Sequence, residues 1–565
     1  MNRYKILPLI LLIWITLGAC EKLLEEDKDN QYTKDRVLNQ PSFAEGILLS
    51  AYRSIPNSYI INEVATDDAV TNEKSDNFLR MATGEWSSIN NPLNIWTTSY
   101  DAIFNINYFL SVVDQIEWSW KSDIRSKMFN NRFKGEAFAL RAYFYYQLLI
   151  SHGGVAENGQ LLGVPLVTEV LDVNDNWTLP RNTFQDCLDQ INKDLDSAIV
   201  KLPLSWTDNP NDPNYNLVFG KQNLNRVNGT IAKAIKSKVA LLAASPAFNN
   251  STFDITKYTE AAKLAGKVIV ANGGITSLNA QGHLFFDDDN DPFTTEILWR
   301  NDYLVNNTLE ALNYPPSLFG SGNVNPTQNL VDAFPMLNGY PISDITSGYN
   351  PLNPYLNRDP RLKAYIIYDG NKMNTTTIRT NVTDLKDGLN NSTDATRTGY
   401  YLLKLLRNNV NLNPSAINTR RHFKTHIRFT EIFLNYAEAA NEAWGPNGDP
   451  EAYGFSARSV IAAIRKRAGL AAADPYLASI TTKEAMRDVI RNERRLELCF
   501  EGFRFWDLRR WELNLTQVAK GVSINNGVFT IIDVENRVYQ PFMKFGPIPY
   551  NETLKYTGLL QNQGW

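Results

Sequence analysis

Through much of the chain, apolar side chains return every three or four residues, the period of an amphipathic α-helix. Phe133, Ala137, Leu140, Phe144 and Leu148 fall on one face. Ile231, Ile235, Val239 and Leu242 repeat the pattern, and Ser245-Pro246 closes that helix because proline brings no amide hydrogen to continue it. Arg181-Asn182-Thr183 offers caps ahead of a stripe formed by Cys187, Ile191 and Leu195. Residues 257–271 predict another helix, stopped by Asn272-Gly273-Gly274. Three more are predicted at 428–444, 455–468 and 482–500. In the last, Met486, Val489, Leu496 and Phe500 share a face, and Gly502 is expected to end it.

Two long stretches lack this period. Residues 56–94 are rich in Asn, Ser and Asp, and residues 300–427 in Pro, Gly, Asn and Thr. Loops of this length inside a compact domain are either functional or disordered. Both contain Trp or Tyr, which argues for order. The expected fold is all-α: tetratricopeptide-like helix pairs forming a scaffold, with a long loop-rich ligand face. No clean 34-residue repeat can be read to support the pairing.

The N-terminus sets the expected compartment. Arg3 and Lys5 precede an apolar run from Ile6 to Leu17 that is too short to span a bilayer comfortably but fits a secretory signal. It ends Leu17-Gly18-Ala19-Cys20, small residues before a cysteine, which resembles a bacterial lipobox with Cys20 as the lipidated residue. No second long apolar run follows, so the lipid would be the only membrane anchor. The charged segment after Cys20 would serve as a tether. The expected organisation is a signal peptide at 1–19, the lipidated Cys and tether at 20–40, and one domain at 41–565. Within that domain the scaffold occupies 95–300 and 428–520, and the loop-rich insertion 300–427.

Composition narrows the chemistry. With 565 residues, 43% of them hydrophobic, the chain can bury a large core. The formal net charge is −4 and no basic block stands out, so nucleic acid is not an expected partner. Beyond Cys20 only Cys187 and Cys499 remain, both within helical patterns, and they are read as small buried hydrophobes. His422 and His426 are four apart, the spacing of a metal pair on a helix, but Arg420, Arg421 and Lys424 surround them and disfavour a cation. The nucleophile elbow and the P-loop are absent from the sequence, and Gly320-Ser321-Gly322 lacks the third glycine of a dinucleotide loop. The acidic run holding Asp287, Asp289 and Asp291 resembles the start of a calcium loop. Pro292 stands where such a loop needs glycine, so a solvated acidic turn is the preferred reading and a structural calcium the alternative. No other cofactor is expected.

Several ordered segments together resemble the SusD/RagB family of nutrient-binding outer-membrane lipoproteins. They include Gly135-Glu136-Ala137-Phe138-Ala139-Leu140-Arg141-Ala142-Tyr143-Phe144, Arg226-Val227-Asn228-Gly229-Thr230 and Arg358-Asp359-Pro360-Arg361-Leu362. The strongest runs from Arg491-Asn492-Glu493-Arg494-Arg495 to Phe503-Arg504-Phe505-Trp506-Asp507-Leu508-Arg509-Arg510-Trp511, and Gly546-Pro547-Ile548-Pro549 follows. The dense Arg and Glu of 491–511 are read as structural pairs rather than catalytic groups. The resemblance implies a surface-exposed, lipid-anchored, non-catalytic protein that binds glycans and delivers them to a SusC-like TonB-dependent transporter. Peptide capture by the same machinery and a surface glycoside hydrolase are the alternatives.

A sugar site needs rings to stack on and polar groups to hydrogen-bond. The resemblance points regionally to 76–96 and 299–323. There the candidate ligand residues are Arg80, Trp86, Asn91 and Asn94, then Trp299, Arg300, Tyr303 and Tyr314, with Asp68 as a further polar contact. Trp96 starts a helical stripe with Tyr100, Ile103 and Phe104 and is read as core.

Overall fold

The computed structural model describes residues 34–287 and 295–565. Cys20, Asp289 and Asp291 lie outside those residues. Nine described helices have ten or more residues. They are α1 (Pro41–Arg53), α2 (Trp96–Val112), α3 (Asp123–His152), α4 (Phe184–Lys201), α5 (Gly229–Ala244), α6 (Ile255–Ala271), α7 (Phe429–Trp444), α8 (Ala457–Arg467) and α9 (Lys483–Glu497).

These helices stack in chain order. Each of α1 to α7 packs on the next, and α8 and α9 both close onto α7. The largest apolar cluster runs through the stack and holds the stripe residues Phe133, Ala137, Leu140, Phe144 and Leu148 with Ile231, Ile235, Val239 and Leu242. The predicted caps form. The Thr183 hydroxyl accepts from the Asp186 amide while Asp186 returns a bond to the Thr183 amide, and the Asn228 side chain accepts from the Ile231 amide. Gly273, at φ 104°, provides the left-handed residue that stops α6. The end of α9 differs from expectation. It stops at Glu497, and the chain turns through Phe500 at φ 62° before reaching Gly502 at φ 87°. The Gly502 amide donates to the buried Glu63 carboxylate (2.8 Å), so this glycine positions a loop contact rather than the helix terminus.

Several buried charged groups cross-link the stack. Glu136 on α3 receives Arg132 (2.8 Å), Arg226 (2.8 Å) and the Tyr52 hydroxyl of α1 (2.6 Å). Arg141 on α3 clamps Asp194 on α4 at 2.7 Å. The 491–511 segment is tied in the same way. Arg494 pairs with Asp507 (2.7 Å), and Arg510 with Glu438 on α7 (2.5 Å). Glu497 sits among Arg361 (2.9 Å), Arg428 (3.1 Å) and Arg467 (2.5 Å), all fully buried or nearly so. Burial alone would raise the Glu497 carboxyl, but the three guanidiniums outweigh it and hold the group well below the usual carboxylate range.

The loop-rich part is ordered by its own apolar clusters and by short antiparallel pairs. Strands of three or more residues are β1 (Ala69–Thr71), β2 (Ile297–Arg300), β3 (Leu304–Asn306), β4 (Val324–Pro326), β5 (Arg420–His422), β6 (Thr425–Arg428), β7 (Ala519–Asn525) and β8 (Val528–Glu535). β1 pairs with β4, β2 with β6, β3 with β5, and β7 with β8. The β7–β8 turn is Asn526-Gly527, both at positive φ, the geometry that matches strand twist in a tight hairpin. His422 and His426 fall on β5 and β6 rather than on one helix face. His422 approaches Glu310 (3.2 Å), and His426 lies against Trp299. Cys187 and Cys499 are buried free thiols, and burial pushes both above the ordinary thiol value.

A candidate ligand cleft beside helix α2

Burial reassigns most of the residues predicted to meet a ligand. Trp86 is 4% exposed and packs edge-on against Phe505, Tyr539 and Trp565, with its indole nitrogen donating to Asn91. Asn91 therefore orients Trp86 instead of facing solvent. Trp299 is buried against Tyr143 and donates to the Asn225 carbonyl (3.1 Å). Tyr314 is buried and donates to the Arg407 carbonyl (2.6 Å). Arg300 is buried with its guanidinium over the Tyr303 and Phe423 rings. Tyr303 is half-buried in that stack. Asp68 is fully buried and pairs with Arg495 (2.6 Å), while Asp67 takes both Arg495 and Arg504. These aspartates fix the loop before β1 to α9. Only Arg80, paired with Glu85 (2.7 Å), and Asn94, which caps α2 at the Trp96 amide (3.0 Å), remain exposed. The predicted constellation therefore does not converge on one open surface, because its rings are what the loops pack around. Asp287 is exposed, and the remaining residues of the acidic run lie outside the described residues.

Exposed rings meet elsewhere. A cleft of about 660 Å³ opens between the first turns of α2, the 165–179 segment and residues 552–559. Trp96 and Tyr100 form its floor, their rings 4.9 Å apart. Phe104 and Trp177 stand at its rim, 52% and 57% exposed. The Phe104 position departs from the sequence reading. The helical stripe buries Ile103 and leaves Phe104 on the solvent side of α2.

The walls are held by hydrogen bonds to backbone carbonyls. Tyr100 donates to Pro165 (2.7 Å), Asn107 to Val167 (2.8 Å), and Tyr145 also to Val167 (2.8 Å). Arg141 braces Asn107 from behind (2.9 Å). The Tyr556 hydroxyl donates to the Leu179 carbonyl on the far wall. The Trp177 indole nitrogen donates to the Asp172 carbonyl (3.0 Å), which holds this exposed ring in place. Asp101, Glu169, Thr178 and the Glu552–Lys555 pair supply polar groups around the rings. An apolar floor, two presented rings and scattered polar side chains suit a ligand with alternating C–H faces and hydroxyls. Among the described residues no group of three or more His, Cys, Asp or Glu could hold a metal ion.

Residues 288–565 match the model described as the SusD family, and residues 22–215 match a model described as starch-binding, associating with the outer membrane. The chain belongs to the SusD/RagB family. It is 23% identical over 552 residues to the SusD-like protein P38 of Formosa agariphila, covering 90% of this chain and 92% of that one. A SusD-like protein of Bacteroides fragilis superposes with a TM-score of 0.75 at 23% identity, covering 94% of this chain and 98% of the other. A SusD-like carbohydrate-binding protein of the same species superposes with a TM-score of 0.71 at 21% identity, covering 93% of this chain and all of the other. The helical SusD-like fold expected from the ordered segments is thus present. Those segments are the buried ion pairs and helix contacts of the scaffold: Glu136 and Arg141 on α3, Arg226 ahead of α5, Arg361 against α9, and 491–511 against α7.

Proposed function

We propose that this SusD/RagB chain captures glycans at the cell surface and passes them to a SusC-like TonB-dependent transporter without breaking a bond. The observation that carries the reading is the cleft at α2, where the exposed rings of Phe104 and Trp177 line a 660 Å³ space edged by hydrogen-bonding side chains. The family-level description of starch binding and outer-membrane association supports both the ligand class and the place. The lipid on Cys20 would hold the chain at the membrane. Phe104 and Trp177 would stack on sugar faces, while Asp101, Glu169 and Thr178 would take hydroxyls. The test is a retention assay of the folded chain from Glu21 onward against immobilised polysaccharides and peptides, with analysis of soluble products. Retention by a polysaccharide without new reducing ends supports capture. Released sugars would make the chain a hydrolase, and retention by peptides alone would replace the ligand class.

A further inference from the structure

A second cavity, of about 210 Å³, lies between α3, α5, β6 and the turn after α9, and it shares no lining residue with the cleft at α2. Each of its acidic groups has a cationic partner, although Glu431 keeps one carboxylate oxygen without a hydrogen bond. Glu431 pairs with Lys238 (2.7 Å), Glu501 with Arg428 (2.9 Å) and Lys404 (2.7 Å), and Asp507 with Arg494 (2.7 Å) and Arg510 (2.8 Å). Two of its cations have no acidic partner: among the described residues, the Lys424 ammonium has no carboxylate within 4 Å and no hydrogen-bond acceptor. Arg509 has no carboxylate: it lies over the Trp86, Phe505 and Trp506 rings, hydrogen-bonds only to the Met543 and Lys544 carbonyls, and keeps one terminal nitrogen without a hydrogen bond.

Arg509 is buried, where a cation without a carboxylate is costly, and Lys424 is half-buried at the cavity wall with no carboxylate to hold it. Burial pushes the Lys424 ammonium down to about 8, and the charges of Lys424 and Lys238 both bear on His426. The cavity therefore carries a local surplus of positive charge in a chain whose net charge is negative. Half-buried Tyr143, Phe503 and Trp506 add ring surface beside that charge. The volume is below the roughly 300–1,000 Å³ of ordinary ligand pockets, which suits a single ring-sized body.

We infer that this cavity is a second ligand site, selective for one sugar-sized organic anion bearing a carboxylate or a sulfate ester, with Lys424 as the selecting charge. The inference goes beyond the glycan reading of the α2 cleft and stands or falls separately from it. The test is calorimetric titration of the folded chain with glucuronate, glucose 6-sulfate and glucose. At least one of the two anions should bind saturably and at least tenfold more tightly than glucose, and the preferred one identifies the group. Lys424→Met should weaken that anion at least tenfold with an unchanged melting temperature, Lys424→Arg should retain it, and Trp177→Ala should leave it unaltered. Equal binding of glucose, no binding of either anion, an unaffected Lys424→Met variant, or loss of the anion in Trp177→Ala would each overturn the proposal.

Discussion

Glu497 is the most connected carboxylate of the scaffold, and its removal should be felt globally. The group is fully buried, and three guanidiniums, from Arg361, Arg428 and Arg467, reach it within 2.5–3.1 Å. Two of these have other acids close by: Arg361 has Asp359 (2.7 Å) and Glu493 (2.6 Å), and Arg428 has Glu296 (2.9 Å) and Glu501 (2.9 Å). Arg467 would be left with Glu296 at 3.5 Å. Removing one partner of a buried ion pair costs about 3–5 kcal/mol, because the other charge stays buried without compensation. Glu497→Gln, which keeps the shape, should therefore lose about 3 kcal/mol, and Glu497→Ala should lie near the upper end of that range. The pH dependence follows from the sign of the shift. The folded carboxyl titrates below its unfolded value of about 4.3, so the contribution is complete above that pH and is lost as the pH falls towards the folded value. The assay is urea unfolding followed in parallel by circular dichroism and tryptophan fluorescence at pH 7 and pH 4. At pH 4 only the unfolded carboxyl has begun to take up protons, so the gap between the wild type and Glu497→Gln should narrow there by under about 1 kcal/mol. A loss below about 1 kcal/mol at pH 7, or a gap that widens at pH 4, would refute the claim that this carboxylate anchors the network.

Trp86→Ala should destabilise the fold by about 3–5 kcal/mol, as for a buried aromatic, while leaving glycan affinity unchanged at temperatures where the variant is folded. Thermal unfolding together with titration checks both halves. Gly266→Ala should cost about 1–3 kcal/mol by overpacking, because the added carbon would meet the Tyr453 ring between α6 and the segment before α8, and a melting curve reads this directly. Cys20→Ala should yield a folded protein that leaves the membrane fraction on cell fractionation, whereas retention there would overturn the lipid anchor.

The scaffold was legible because it obeys one period. The apolar stripes of α3 to α9 and the caps at Thr183 and Asn228 are local signals, and the structure places them where the spacing does. The dense charges of 491–511 were also readable as pairs, although their partners on α7, on the 67–68 loop and at Arg361 are far off in sequence. The site was poorly legible for a physical reason. Loop aromatics are ambiguous, since the ring that could stack on a sugar is also what gives a loop its own core. Trp86, Trp299 and Tyr314 do the second job, and Trp299 and Tyr314 donate to carbonyls that sequence spacing does not associate with them. Trp177 carried the same signal as Trp86, a tryptophan in a polar run, within Asp172-Val173-Asn174-Asp175-Asn176-Trp177-Thr178, and the same argument applied there would have found it. Phe104 was hidden by its neighbour Ile103, because adjacent helical positions differ by about 100° and only one of them faces the core. The cavity at Lys424 was also hinted at in sequence, by the basic residues around His422 and His426 that argued against a metal.

The central claim is that sugar stacks on the rings at α2. Trp177 is 57% exposed, which leaves about 140 Å² of its ring and stem open if the side chain spans ~250 Å². A sugar face covering half of that removes ~70 Å² from water, worth ~2 kcal/mol at ~25 cal/mol per Å², or about 20-fold in Kd. The deciding measurement is a titration of the best-retained polysaccharide into the wild type and into Trp177→Ala, with the melting temperature of each recorded. A loss of about 20-fold in affinity with an unchanged melting temperature is the predicted result. Equal affinity of the two proteins would contradict the account and place the glycan elsewhere on the molecule.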